Sequence, residues 1–344
     1  MEGKQADLVL EGGGVKGVGL VGAVATLSEA GYRFPRVAGT SAGAVIAAFV
    51  VALQRAGEPL SRLEDITRTL DYRKLRDRGA LGKAAGPLAR VVDGLSLAFD
   101  GGVFEGDYLR KWVAGSLREL GVEKFGDLRV VDPGSALPPE HSYALVLTAS
   151  DVSRRQLVRF PWDYPLYSLD PDEQAVADAV RASASIPFFF EPVTLRAKDE
   201  TGASVVSTLV DGGVLSNFPI GMFDRTDAQP PRWPTFGIRL SMRPDGRVQT
   251  HEVRGTVSLA LSLVETLLEA CDAQHINDAC VQERSIFVDT SGISPVDFGI
   301  TEEQQEQLLS AGREAGVEFL RSWDFDEYLS HCRTFAGTAT EGLT

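Results

Sequence analysis

The sequence predicts an α/β protein, three layers deep in the order α/β/α, around a mainly parallel central sheet. Two observations lead there. Within residues 7–55 a short apolar run twice ends in a glycine-rich turn and passes at once into an apolar helix, the local order of a parallel sheet covered by helices. Further apolar runs at 143–149, 205–210 and 235–240 alternate with helical patterns. The composition, 44% hydrophobic and 24% charged, belongs to a folded globular chain and not to a disordered one.

Asp7–Leu10 reads as a short buried strand that ends in a glycine loop, and Val18–Ala30 as a helix closed by Gly31 at its C-terminal cap. Arg36–Ala38 is a second strand. It runs through the Gly39–Gly43 turn into a helix over Ala44–Arg55, and a further helix covers Ser61–Tyr72. The character then changes. Arg73, Lys74, Arg76, Arg78, Lys83 and Arg90 are opposed by Asp77 and interrupted by Gly79, Gly82, Gly86 and Pro87, which marks a basic, flexible insertion near 73–103.

Leu109, Trp112, Val113, Leu117 and Leu120 line one face of a helix over Asp107–Leu120. Pro133–Glu140 is a loop, Tyr143–Ala149 and Gln156–Phe160 are strands, and Asp172–Ser183 is a helix ending before Pro187. The strand Val205–Val210 delivers Asp211 at its end. Thr235–Leu240 is a strand and Thr256–Ala279 a core helix. Thr301 and Gln304 form a capping box for a helix over Glu302–Leu320, and the tail from Thr334 frays.

The net charge of −14 excludes a general nucleic-acid binder, because phosphate contacts need a basic surface. It also argues against uniform attraction to anionic membranes. The cysteines, Cys271, Cys280 and Cys332, form no CxxC pair. Cys271 and Cys280 fall on opposite faces of one helix, so reduced thiols in a cytoplasmic protein are expected. No basic region followed by an apolar stretch opens the chain, so no signal peptide is expected. The longest apolar run, Ala42–Leu53, is too short to span a bilayer.

Three motifs carry the chemistry. In the first, Glu11-Gly12-Gly13-Gly14-Val15-Lys16-Gly17, glycines let backbone N–H groups approach a ligand closely at a helix N-terminus. Such a loop serves either an oxyanion hole or a dinucleotide pyrophosphate, and Gly12, Gly14 and Gly17 match GxGxxG. The dinucleotide reading wants an acid near the end of the second strand. Tyr32–Ala38 contains none, and that strand ends in the second motif instead.

Gly39-Thr40-Ser41-Ala42-Gly43 is a GxSxG sequence, in which the glycines permit the sharp strand-to-helix turn that presents a nucleophilic serine. The motif is weak alone; the flanking strand and helix strengthen it, and the helix dipole favours an anion at Ser41. The third motif, Asp211-Gly212-Gly213, presents a carboxylate at a strand's C-terminal edge, followed by Asn217-Phe218-Pro219. A Ser–Asp–His order is formally open, since His251 and His275 follow Asp211, while His141 and His331 complete the histidines. Neither late histidine sits in a loop after a convincing strand, so a Ser41–Asp211 dyad is the better reading.

In these motifs the chain resembles the patatin-like phospholipase family, with its DGGGxRG-type loop, GxSxG nucleophile and DGG or DGA base motif. Arg181-Ala182-Ser183-Ala184-Ser185-Ile186-Pro187 and Phe190-Glu191-Pro192-Val193 resemble the block that precedes the family's Asp strand, and Asn217 and Pro219 fit its continuation. Glu11 replaces the common Asp, and Lys16 the common Arg. The resemblance implies a patatin-like catalytic core over 7–222, with 223–344 completing or capping the same domain.

It further implies a lipid acyl hydrolase acting on carboxylic esters of lipids or phospholipids at a membrane surface. Ser41 is then the nucleophile, Asp211 the base, and Gly12, Gly13, Gly14 and Lys16 the oxyanion hole. Gly39, Gly43, Gly212, Gly213 and Asn217 shape these motifs, and neither metal nor cofactor is required. An acyltransferase would use the same residues, so products alone separate the two. A non-catalytic interaction protein is disfavoured because each catalytic position is occupied. An ordinary Asp, with a pKa of about 3.9, is a weak base toward a serine hydroxyl, so a water-poor pocket around Asp211 is expected. Arg73–Arg90 reads as a lid or docking patch, or as a solvated insertion, and Phe188–Phe190 as an acyl-channel wall or a buried strand.

Overall fold

A computed structural model describes residues 3–75, 104–198, 202–227, 229–242 and 278–332, together with 262–263 and 266–267. The predicted insertion beyond Leu75, most of the helix expected over 256–279, Cys271, His251, His275 and the tail from Thr334 lie outside these residues. Ser262–Leu263 and Thr266–Leu267 are helical.

The strands are β1 (Lys4–Gln5), β2 (Asp7–Leu10), β3 (Tyr32–Arg33), β4 (Val37–Thr40), β5 (Leu145–Asp151), β6 (Gln156–Phe160), β7 (Val193–Lys198), β8 (Ser204–Asp211), β9 (Thr235–Arg239) and β10 (Ser285–Phe287). The helices are α1 (Val18–Glu29), α2 (Ala42–Ala56), α3 (Arg62–Arg68), α4 (Asp107–Glu119), α5 (Val176–Ser183), α6 (Ala279–Glu283), α7 (Glu302–Ser322) and α8 (Phe325–Cys332). The strands of the main sheet are linked in the order β10-β9-β2-β4-β5-β8-β7, with β6 also on β5. Pairing is parallel from β10 through β5 and antiparallel in β5–β6, β5–β8 and β7–β8. The fold is thus a three-layer α/β/α arrangement with a mainly parallel sheet.

β2, β4 and β9 are buried along their whole length, as befits strands covered on both faces. α2 is equally apolar, buried from Gly43 to Leu53 against β4, β2 and β5. On the other flank α1 packs along α7 at the distance of small residues: a Cβ on Gly22 would stand 2.9 Å from the Arg313 nitrogen, and one on Gly312 3.0 Å from the Ala23 nitrogen. α7 starts with the expected capping box, in which the Gln304 N–H donates to Thr301 Oγ1 and the Thr301 N–H to Gln304 Oε1. β9, β10 and α7 all belong to the stretch 223–344, and all three pack into the same core.

One register relation positions the site. Leu147 and Thr148 pair with β4 and β6 at once, and 149–151 pair with β6 and β8. β6 therefore holds one edge of β5, and β4 and β8 share the other, end to end. β4 stops with Thr40 opposite Thr148, and β8 stops with Asp211 opposite Ala149.

Several sequence expectations are corrected. The helix expected over Asp172–Ser183 begins at Val176, because the Asp170 carboxylate captures the Asp172 N–H and closes a separate 3₁₀ turn over Pro171–Glu173. The helix expected over Ser61–Tyr72 stops at Arg68, and Tyr72–Leu75 forms its own 3₁₀ turn. β7 has no counterpart among the predicted strands. The reduced-thiol expectation fails for one pair: Cys280 and Cys332 form a disulfide, Cα–Cα 5.6 Å, between α6 and α8. Spacing within one helix said nothing about α8 returning beside α6.

A side chain at the α1–α7 contact must push two helix backbones apart. Gly312→Val is expected to destabilise the fold by about 1–3 kcal/mol, read as a lowered Tm. An unchanged Tm would show that the two helices are not held at this distance.

Candidate active site

The nucleophile turn follows from steric limits on the chain. Between β4 and α2, Ser41 has φ 53° and ψ −120°, a conformation that costs on the order of 1–3 kcal/mol for a residue with a side chain. The turn is tight enough that a Cβ on Gly39 would stand 2.5 Å from the Gly43 carbonyl carbon. One on Gly43 would lie 2.7 Å from the Glu11 oxygen. Both glycines of the motif are thus required by close backbone approach.

Two bonds hold Ser41 and Asp211 from one neighbouring stretch of chain. The Ser41 N–H donates to Ser183 Oγ at 2.9 Å, and the Asp211 N–H donates to the Ser185 carbonyl at 2.8 Å. The end of α5 and the residues just after it therefore grip the backbone of both residues. That stretch is itself fixed by Arg181, buried, whose guanidinium bonds Ser185 Oγ at 2.5 Å and the Glu191 carbonyl at 2.9 Å. In the sequence this stretch stands out only by its family resemblance, and nothing in it marks Ser183 for a role. A serine at a helix end is ordinarily unremarkable, so the signal lay only in the run Ser183-Ala184-Ser185.

Asp211 is fully buried. Its Oδ1 accepts from the Gly213 N–H at 2.8 Å. Its Oδ2 meets no partner in full hydrogen-bond geometry, although the Ser41 hydroxyl lies close enough to favour the charged carboxylate. Desolvation outweighs both contacts and pushes the carboxyl from 3.8 up to about 7. Gly212 lies against β5, where a Cβ would stand 2.5 Å from Thr148 Oγ1, and its carbonyl accepts from Ser150 Oγ. Thr40 Oγ1 and Thr148 Oγ1 lie 2.7 Å apart, locking the ends of β4 and β5.

In the glycine loop the Gly12 N–H donates to the Asn217 carbonyl (3.2 Å), while Asn217 Nδ2 donates to the Gly12 carbonyl (3.1 Å). Gly12 is thereby tied to the turn after Asp211, and its N–H is spent. The Val15 N–H donates to Pro295 and the Lys16 N–H to Gly13. The N–H groups of Gly13 and Gly14 have no partner among the described residues. Gly14 has φ +55°, and a Cβ there would stand 2.8 Å from the Pro295 carbonyl carbon. Lys16 is half-buried in the 3₁₀ turn Gly14–Gly17 and makes no ion pair among the described residues. Glu11, buried, receives Arg239 Nε at 2.9 Å, Arg239 Nη2 at 2.7 Å and the Leu240 N–H at 2.5 Å.

Ser41 opens into a cleft of about 610 Å³, part of it open to solvent, with walls that include Val45, Ile46, Leu109, Ile186, Phe190 and Phe298. Of the Phe188–Phe190 run, Phe190 lines this cleft, Phe189 rests on the Phe298 ring and Phe188 is exposed. Phe298 and Pro295 carry no motif and had no sequence signal. Among the described residues no histidine lines the cleft, and no cluster of acids, histidines and cysteines could hold a metal. His141 stacks on Trp162, where burial lowers its pKa, and His331 is on α8.

Fold and site together define an α/β protein with a strained serine and a buried aspartate at an apolar cleft. The patatin-like phospholipase model matches residues 8–224. The chain belongs to that family and is on that ground a lipid hydrolase. It is similar to the uncharacterized protein YqhO of Bacillus subtilis (strain 168), 37% identical over 93% of this chain and 99% of that one. Among solved structures it is similar to VipD from Legionella pneumophila (17% identity, TM-score 0.49, 94% of this chain and 67% of that one). It is also similar to ExoU in the ExoU–SpcU complex of Pseudomonas aeruginosa (20% identity, TM-score 0.42, 96% of this chain and 52% of that one). No helix among the described residues is long and apolar enough to cross a membrane.

Two measurements probe this geometry. The fold favours the neutral form of Asp211, so its contribution to stability is complete below pH 3.8 and is lost as pH rises through about 7. Asp211→Asn is therefore expected to be more stable than the parent at pH 8, by up to about 4 kcal/mol, with the gap closing toward pH 4. Denaturant melts at the two pH values check this, and a gap independent of pH would contradict it. Ser183→Ala leaves the Ser41 N–H buried without its acceptor. A loss of about 1–3 kcal/mol is expected in the same melts, and an unchanged midpoint would remove Ser183 from the account.

Proposed function

We propose that the chain hydrolyses carboxylic esters of lipids, phospholipids included, through an acyl-enzyme on Ser41 with Asp211 as the base. The observation that carries this reading is the placement of Asp211: buried, raised to about 7, and beside a serine that opens into an apolar cleft. A base poised near neutrality accepts a serine proton far more readily than an ordinary carboxylate does.

In the first half-reaction Asp211 takes the Ser41 Oγ proton as Oγ attacks the ester carbonyl. The N–H groups of Gly13 and Gly14 receive the developing oxyanion. Gly12 shapes the loop through Asn217, and Lys16 adds positive field. Asp211 then passes its proton to the departing alcohol or lysolipid oxygen. In the second half-reaction a water gives its proton to Asp211 and attacks the acyl carbon. Ser41 Oγ regains that proton as the fatty acid leaves.

The loop's own architecture disfavours the dinucleotide alternative. The Gly12 N–H, one of the donors a pyrophosphate would need from this loop, is already given to the Asn217 carbonyl. Residues 223–344 supply Leu240, Pro295 and Phe298 to the loop and cleft, so we read them as completing the same catalytic domain. The protein acts in this reading at a lipid surface.

Phospholipid vesicles incubated with the protein are expected to release free fatty acid and lysolipid, with kcat/KM rising with pH through about 7 as Asp211 ionises. Ser41→Ala and Asp211→Asn are expected to fall to background, and Gly12→Ala, whose methyl would sit 3.0 Å from Ser41 Cβ, to lose about 10²–10³-fold. Acyl transfer to an added alcohol in preference to water would favour a transferase. Full activity of Asp211→Asn would overturn the dyad.

A further inference from the structure

Beyond the nucleophile, the polar side chains of the cleft wall among the described residues are Thr67, Tyr72 and Trp112. Thr67 Oγ1 donates back to the Leu63 carbonyl at 2.8 Å, and Trp112 Nε1 donates to Thr69 Oγ1 at 2.9 Å. Both are spent within the wall itself.

Tyr72 differs. It opens the 3₁₀ turn Tyr72–Leu75 that follows α3, and with Leu75 it lines the cleft. Its hydroxyl has no hydrogen-bond partner among the described residues. Tyr72 is half-buried against the core, and desolvation raises its pKa, so it remains a neutral phenol, at once donor and acceptor. A phenylalanine would fill the same wall and ask nothing of a hydrocarbon chain. A bare chain entering this cleft strips the phenol of water and returns no bond, a cost that a chain bearing a hydroxyl avoids.

We propose that Tyr72 is a specificity-determining residue that receives a hydroxyl carried on the acyl chain, so that the preferred substrates are esters of hydroxylated fatty acids. The inference rests on the hydrolase reading above and narrows its substrate class. Sites built to bond a substrate hydroxyl discriminate strongly against the analogue that lacks it, whereas purely apolar sites discriminate weakly.

The test separates recognition from chemistry. The full-length Ser41→Ala protein is titrated with decanoic acid and with each of its monohydroxylated isomers, followed by intrinsic tryptophan fluorescence, to which Trp112 in the wall contributes. One isomer is expected to bind about 10-fold more tightly than decanoic acid. Adding Tyr72→Phe should abolish that preference without weakening decanoic acid. Equal binding of all the acids, no binding, or a preference that survives Tyr72→Phe would each overturn the proposal. The matching esters are then offered to the protein with Ser41 intact. A binding preference without cleavage of any ester would sink the hydrolase reading while leaving the recognition by Tyr72 standing. Cleavage of plain and hydroxylated esters at equal rates, unaltered by Tyr72→Phe, would do the reverse.

Discussion

The site depends on one constraint: a single edge of β5 is divided between two strands that meet head to head. β4 runs parallel to β5 and stops at Thr40; β8 runs antiparallel and stops at Asp211, one register position further on. Strand pairing fixes position to a fraction of a residue, because a slip by one turns every side chain to the other face. Residues separated by 170 positions of chain are thereby placed side by side by backbone hydrogen bonds alone. The Thr40–Thr148 contact and the Gly212–Thr148 approach close the junction from within.

Around that junction the molecule accepts unfavourable local terms. Ser41 sits in a strained backbone conformation, and Asp211 is denied the water that would ionise it at ordinary pH. Each costs on the order of a few kcal/mol. They persist because the surroundings leave the chain no alternative: Ser183 and Ser185 hold both backbones, and α2, buried along nearly its whole length, anchors the far side of the turn. Strain and desolvation act on the same proton. Burial keeps Asp211 basic enough to take it from Ser41, and the turn keeps the hydroxyl where it can be given up.

How much of this was legible follows from what kind of constraint each residue answers to. Gly39 and Gly43 are dictated by backbone contact, which only glycine relieves, so they stand out in sequence. Asp7–Leu10 and Gln156–Phe160 are bounded by sharp changes of pattern, and both strands occur with the predicted limits. Asp107–Glu119 kept its helix because Leu109, Val113 and Leu117 recur at helical spacing and are all buried. β7 alternates Thr194 and Arg196 with Val193 and Leu195, as an edge strand should, but Pro192 and the irregular Pro187–Glu191 stretch before it hide its start. The Cys280–Cys332 bridge and the roles of Pro295 and Phe298 are tertiary facts, set by where the chain returns and not by any local pattern.

Glu11 joins both kinds of information. Sequence marks it as a departure from the family's usual Asp, and nothing in the local pattern explains the extra methylene. In the fold its carboxylate bridges to β9, receiving the Arg239 guanidinium and the Leu240 N–H. Arg239 is itself buried, over the rings of Phe218 and Phe287. A buried ion pair of this kind is a poor source of net stability, because desolvating two charges offsets most of their attraction. Its value here is positional. It locks the start of the glycine loop to a strand from beyond residue 222, and Leu240 then lies against Gly13, the neighbour whose N–H is open. The later third of the chain is in this way connected to the loop that must hold the oxyanion: the Glu11 carboxylate, the Glu11 N–H on the Ile238 carbonyl and the Leu240 side chain against Gly13 all link that loop to β9.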